Sequence, residues 1–455
     1  MTFGSSGRVA RMSVLALAGL AAPVLISTTA QAAGPLGPCS ATQAGSTITL
    51  TANCTTEATI DVADGVTIDG DGYTITAVDP TSGNFTGPVL KSATGTPTVP
   101  ATLNVKNLDV VASLAATVAT QSLSGLYYEN AGGTITNVSL SGITSSAASG
   151  AGRALEVRNA AATTAPALAI NGLRVRNYNK SGVFLQGKTT FTATNLDIGP
   201  ATGVDGVQWV DSAANGFTVY DGPTGTLTNS KIAGNRYATD DTDPNAPQGV
   251  GTAVLAIESP SLTISGLTVT GTDSDIGVIV QKLHPSTTSK VSVTCSSITR
   301  TAGGHADAKY GVGISEDVDA GEGTVTLTAG SNTLSGWKTN TDGTITPTVD
   351  PACTPSTKAT VKAEAKKDQV KTGKKIKITG SASPALAGVT VSLQRKVDGE
   401  FETVSTSKLA ANGVFKFVEK AKGKKKHTER FRVVVGTATL YDGGTSDTVK
   451  VRVGA

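Results

Sequence analysis

One six-residue pattern recurs along the chain: apolar, any, Asn/Gly/Cys, any, any, apolar. It occurs at residues 105–110, 135–140, 170–175, 193–198, 227–232, 264–269 and 293–298. Two outer copies, 68–75 and 327–334, carry a two-residue insertion. The nine copies start 37, 30, 35, 23, 34, 37, 29 and 34 residues apart. Between most of them sits a second short run that alternates apolar with other residues: 125–129, 154–158, 182–186, 206–209, 251–258, 276–281 and 311–315. Alternation of this kind predicts strands. Short strands at fixed turns, repeated along a chain, predict a solenoid, in which stacked coils share a core that no single coil closes. Asn or Gly at the same turn position suits a left-handed backbone, and stacked Asn side chains can bridge successive coils.

The opening copy, Val66-Thr67-Ile68-Asp69-Gly70-Asp71-Gly72-Tyr73-Thr74-Ile75, resembles the first coil of the pectate-lyase-like superfamily. The resemblance covers about residues 40 to 350 and rests on a structural motif. It implies an all-β fold, a right-handed parallel β-helix of about nine coils, over the domain 33–354. It also implies that any site lies on the outside of one parallel sheet.

Alternation then sorts the second strand set. Leu126, Tyr128, Leu155, Val157, Val183, Leu185, Val207 and Trp209 point inward. Tyr127, Glu129, Glu156, Arg158, Phe184, Gln186 and Gln208 point outward, with Glu258 and Gln281 in later coils. Tyr127, Arg158, Phe184, Gln186, Gln208 and Glu258 are the expected ligand-binding residues. Aromatic faces and paired amides or charges suit a sugar chain. Glu129 and Glu156 fall on neighbouring coils, where stacked strands bring carboxylates to about 5 Å, the separation in retaining glycosidases.

A second acidic group is Asp240-Asp241-Thr242-Asp243, with Asp205 and Asp211 upstream. Asp240 and Asp241 are similar to the adjacent aspartates of inverting glycosidases of this fold. However, the Asn-Thr-Asp, Gly-His-Gly and Arg-Ile-Lys elements of that family do not occur here. Asp240, Asp241 and Asp243 are also the candidate Ca²⁺ ligands, because clustered carboxylates suit hard cations. No other cofactor is expected. The three His residues are scattered, and no Ser-His-Asp arrangement is legible.

Charge divides the chain. Residues 358–455 hold 21 basic and 9 acidic residues, a balance of +12, against 15 basic and 26 acidic in residues 33–357, a balance of −11. Proline clusters at 347–355 between them. About seven short strands separated by Asp398-Gly399, Asn412-Gly413 and Asp442-Gly443-Gly444 follow, so 355–455 reads as a β-sandwich. It is similar to the Lys-rich immunoglobulin-like modules of secreted bacterial proteins. Its run Lys420-Ala421-Lys422-Gly423-Lys424-Lys425-Lys426 is a candidate patch for anionic envelope polymer. No base-stacking aromatics flank the run, so nucleic acid is not an expected partner.

Arg8 and Arg11, the apolar run 14–26 and Ala30-Gln31-Ala32 read as a secretory signal peptide over 1–32. The apolar run is too short to span a bilayer comfortably, so no integral membrane segment is expected after its removal. Cys39, Cys54, Cys295 and Cys353 allow three disulfide connectivities. Cys39–Cys54 with Cys295–Cys353 keeps each loop within one region. The expectation is a secreted, extracellular or loosely surface-associated protein. It presents a sheet surface to polysaccharide or another envelope polymer and docks through its basic module. The alternative is a polysaccharide lyase or glycoside hydrolase with a non-standard carboxylate site.

Overall fold

The computed structural model describes residues 35–114, 123–144, 152–199, 214–233, 235, 251–270, 274–282, 288–300, 312–318, 324–337, 339–347, 358–383, 389–410, 413–423, 426–436 and 443–454. The proposed signal segment 1–32, the linker 348–357 and the strand expected at 206–209 lie outside them. So do Val207 and Trp209. The chain divides into the units Met1–Ala33 and Gly34–Ala455, and all that follows concerns the second.

The described chain is all-β, and its first part stacks parallel strands coil on coil, as in a β-helix solenoid. Each coil supplies one strand to each of three sheets. Ala167–Asn171, Arg174–Tyr178 and Ser181–Gly187 make one coil, and Thr190–Thr194, Asp197–Ile198 and Asn215–Tyr220 make the next. They pair in parallel, Ile170 beside Ala193, Val175 beside Ile198 and Leu185 beside Val219. In two coils the first and second sheets are joined by a single bent strand, Ala101–Ala112 and Ala131–Ile143. The third sheet counts ten strands, one more than the nine turn copies. The extra coil is the first, Thr47–Leu50, Cys54–Thr56 and Ile60–Val62, whose turn departs from the six-residue pattern.

Inward positions form unbroken aliphatic columns. Ile68, Val105, Ile135, Ile170, Ala193, Leu227, Ile264 and Val293 follow one another in register, all buried. Leu126, Leu155, Val183, Phe217, Val254, Val278 and Ile314 form the column of the third sheet. The buried Phe191 ring lies against that of Phe217, 5.7 Å away between centroids. One coil further on, a Cβ at Gly225 would lie 2.1 Å from the Phe191 carbonyl oxygen, so only glycine fits under that ring.

The turn from first to second sheet is the fixed point of each coil. It spans three residues in the first coil and four in the second, and two in each later coil whose strands are separate. Its first residue lies in the left-handed region: Gly172, Asn195, Asn229, Gly266, Cys295 and Ser331, with φ of 72°, 61°, 47°, 65°, 51° and 51°. Asn107 and Asn137 occupy the same place in the bent strands. The amide of Asn107 donates to Asp69 Oδ1 at 3.2 Å, and that of Asn195 to Asn171 Oδ1 at 2.8 Å. Buried serines follow the same logic. Ser230 Oγ accepts from the Leu196 N–H, and Ser296 Oγ from the Leu267 N–H, each at 3.1 Å. Connections from second to third sheet vary instead, from two residues after Tyr178 to eighteen after Ala233.

The first coil is capped by Ala41–Ala44, which pairs antiparallel with Thr47–Leu50 and covers the edge of the first sheet. Cys39 and Cys54 form the expected disulfide, with Cα atoms 5.2 Å apart. Cys295 is also disulfide-bonded, and Cys353 lies outside the described residues.

The C-terminal part has its own core, with Ile376, Ile378, Leu393, Phe415, Phe417, Phe431, Val433 and Val451 at its centre. Thr360–Ala365, Lys375–Ser383 and Val414–Lys420 make one antiparallel sheet. Thr390–Val397, Glu400–Lys408, His427–Val435 and Val449–Val453 form the body of the other, joined by Gln369–Val370 and Gly444–Thr445. The three-stranded sheet meets the turn corner of the solenoid, where Asn171 Nδ2 donates to Ser383 Oγ at 3.1 Å. Burial raises the Asp71 carboxyl pKa at this corner, helped by Asp69 and Glu364 and opposed by Lys366.

Replacing a ladder residue separates backbone from side chain. Asn107→Gly keeps the left-handed turn and loses the amide bonds, costing about 1 kcal/mol. Asn107→Ala adds the left-handed penalty, for a total of about 2–3 kcal/mol. Urea unfolding of the two variants side by side measures the difference.

Candidate functional site

The open surface of interest is the outward side of the third sheet over its early coils. The strands Pro88–Ser92, Ser124–Glu129, Arg153–Asn159, Ser181–Gly187 and Asn215–Tyr220 lie in parallel there. Their register sets out two outward rows. One runs Lys91, Tyr127, Glu156, Phe184, Thr218. The other runs Glu129, Arg158, Gln186, Tyr220. Leu126, Tyr128, Leu155, Val157, Val183 and Leu185 point into the core, as alternation predicts.

Glu156 is the hub. It stands on the outward side yet is only 1% exposed. Arg158 Nη2 lies 2.7 Å and Arg153 Nη1 3.4 Å from Glu156 Oε1, and Ser124 Oγ donates to Oε2 at 2.5 Å. Both guanidinium groups also lie over the Phe184 ring, with their carbons 4.6 and 4.8 Å from its centroid for Arg158 and Arg153 respectively. These distances suit cation–π attraction. Arg158 reaches across to donate to Gln186 Oε1. The Phe184 ring continues into Tyr220, 6.4 Å away at an interplanar angle of 23°. At the other end, Lys91 pairs with Glu129 at 3.2 Å and lies over Tyr127 at 5.7 Å. Thr94 Oγ1 donates to Glu129 Oε2 at 2.9 Å.

Electrostatics on the strip follow from burial and crowding. The Tyr127 hydroxyl pKa is raised by burial first, then by Glu129 and Glu156, against Arg158 and Arg153. Burial lowers the Arg153 pKa, with Glu156 opposing. Lys180 is lowered by burial and by Arg153. Lys91, Arg153 and Arg158 outnumber Glu129 and Glu156 there.

The register revises two expectations. Glu129 lies opposite Arg158, and Glu156 lies opposite Tyr127. The two carboxylates are therefore two positions out of step, a diagonal of about 7–8 Å between backbones, and each is tied to a base rather than set against the other. Glu258 is not on the outward strip at all. Its strand ends at Ile257, and Glu258 forms the corner, 2% exposed with φ of 52°. Tyr127, Arg158, Phe184 and Gln186 are brought together. Gln208, Asp205, Asp211, Asp240, Asp241 and Asp243 lie outside the described residues. Among the described residues, no group of three or more His, Cys, Asp or Glu could hold a metal ion.

Sequence reasoning missed Lys91, Arg153 and Tyr220. Arg153 shares the parity of the inward residues, but at the first position of its strand it reaches Glu156. Tyr220 ends the alternating run Asn215-Gly216-Phe217-Thr218-Val219-Tyr220, a strand signal overlooked in favour of 206–209. Lys91 follows two buried residues, Val89 and Leu90, so alternation gave no lead there.

The second sheet carries a separate charged row, Asp109, Ser139, Arg174, Asp197 and Lys231. Arg176 and Arg174 hold Asp197 at 2.6 and 3.8 Å. Asp109 Oδ1 is buried without a hydrogen-bond partner. Burial pushes the Asp109 carboxyl up to about 6, against Arg174 and a hydrogen bond from Ser139.

No family model, curated protein or solved structure matches the chain. Two outcomes follow from the geometry. Glu156→Gln leaves Arg153 and Arg158 without their buried counter-charge and lowers stability by about 3 kcal/mol, measurable by denaturant unfolding at neutral pH. For Asp109 the folded pKa lies above the unfolded one, so the folded state holds the extra proton. Stability is therefore greatest below the unfolded value near 4 and falls as pH rises to about 6. Asp109→Asn flattens that slope and adds about 1–2 kcal/mol at pH 7, read from melting at a series of pH values.

Proposed function

We propose that this chain is an extracellular or cell-surface binding protein whose third sheet holds a polysaccharide. Its basic C-terminal part, of immunoglobulin-like type, docks on an anionic envelope polymer. The solenoid on this reading is a right-handed β-helix of the pectate-lyase-like kind. The observation that carries the reading is the strip from Lys91 to Tyr220. There the Tyr127, Phe184 and Tyr220 rings stand in line, and Arg158 and Gln186, joined to each other, present their remaining N–H groups, all on one parallel sheet. Rings stack on sugar faces, and aligned amide and guanidinium groups meet hydroxyls or acidic substituents. The excess of cations on the strip favours acidic chains. The Cys39–Cys54 disulfide fits an oxidising compartment. Among the described residues, no helix is long and apolar enough to cross a membrane. Each strip carboxylate is bound to a base, which favours binding over hydrolysis or elimination.

Titration of acidic and neutral polysaccharides against the intact chain tests this. Phe184→Ala and Tyr220→Ala should each weaken binding about tenfold or more, with circular dichroism unchanged. Product release measured on the same polysaccharides, with and without Ca²⁺, separates binding from turnover. Reducing-end or unsaturated products would replace the binding reading with a catalytic one.

A further inference from the structure

A cavity of about 500 Å³ opens on the C-terminal part, lined by Lys366, Lys367, Lys371, Lys374, Lys375 and Lys377, with Gln369 and Val370. The backbone that carries these lysines is fixed. The chain leaves the three-stranded sheet at Lys366, whose N–H donates to the Lys377 carbonyl at 3.0 Å. It then joins the other sheet, where Gln369 and Val370 pair with Arg452 and Val453. The return is a tight turn. Lys374 N–H donates to Lys371 O at 3.1 Å, and Gly373, with φ of 75°, donates to Ala421 O at 3.0 Å.

No carboxylate lines the cavity. Asp368, within the same segment, is tied to Arg452 at 2.8 Å with its side chain 81% exposed. A second observation points the same way. Lys375 lies directly opposite Lys420 in antiparallel register, and like charges in that position oppose the pairing. The fold gains nothing from that pair or from gathering six exposed lysines around one space. A multiply charged anion seated there would neutralise both.

We propose that this cavity seats successive phosphate groups of a phosphate-rich polymer. Lysines, and no arginine, line it. The planar fork that recognises carboxylates in two-point fashion is therefore missing, whereas compact ammonium groups on flexible stems suit tetrahedral, highly charged phosphates. The proposal rests on the docking reading above and moves its seat from the 420–426 run to the cavity.

The test is calorimetric titration of the intact chain with short-chain inorganic polyphosphate and with polygalacturonate, at two salt concentrations. Two triple variants are compared. Lys371→Gln/Lys374→Gln/Lys375→Gln removes charge from exposed cavity positions, and Lys416→Gln/Lys422→Gln/Lys426→Gln removes the same charge elsewhere on this part. The cavity variant should weaken polyphosphate binding by about tenfold or more and reduce its salt dependence, while the other stays within about twofold. Polygalacturonate should be weakened far less by the cavity variant. Equal losses in both variants, a loss in neither, or an equal loss for polygalacturonate overturns the seat. An intact chain that binds neither polymer removes the docking reading together with it.

Discussion

A strand in a parallel coil finds its hydrogen-bond partners in the coils above and below, not in its own. Every other feature of the solenoid serves that requirement. Coils must repeat the same path closely enough for Ile170 to meet Ala193 and Val175 to meet Ile198. The two-residue turn with a left-handed first position sets that path. Its side chains add bonds along the stack, so the turn is both the hinge of one coil and a rivet to the next. Where Ser230 or Ser296 follows, a hydroxyl takes the buried N–H of the leucine one coil earlier, so the corner stays satisfied where it is buried.

The same requirement leaves the first coil with an open edge, and the chain closes it locally. The antiparallel strand Ala41–Ala44 and the Cys39–Cys54 bridge hold the cap against coil one. Register also decides what the outer surface is. Because Arg158 falls between Glu129 and Gln186, and Glu156 between Tyr127 and Phe184, the sheet makes an ion-paired aromatic strip instead of a carboxylate dyad. A shift of one residue would turn each of these side chains into the core.

The solenoid was legible because its signal is local and repeated. The turn residue with positive φ, the alternating strand after it and the inward columns all follow from short windows of sequence. Asp398-Gly399 likewise announced its hairpin, and both residues take positive φ, 47° and 96°. The first coil was hidden because Thr51-Ala52-Asn53 does not carry the six-residue pattern. The strip was only half legible. Facing could be read from parity, but the relative register of neighbouring coils depends on connections of unequal length, which no window of sequence contains. Parity alone therefore sets Glu129 beside Glu156 and does not bring Tyr220 to the strip. Glu258 shows the converse limit, since alternation does not say where a strand stops and a corner begins. The lysine cavity was invisible for a different reason: the 366–377 segment reads as ordinary basic loop until two sheets fold it around a space.

The contrast between corners has a consequence for how such a chain can change. The turn from first to second sheet keeps the same two-residue length through the later coils, and its longer forms occur only in the first two coils, at the capped end. The passage from second to third sheet already ranges from two to eighteen residues with the stack unaltered on either side. Doubling such a passage costs only about 0.6 kcal/mol in closure entropy. One edge of the solenoid therefore works as a row of independent sockets, each able to take a new loop of arbitrary composition beside the third sheet. Variation can accumulate along that edge coil by coil while the scaffold stays the same.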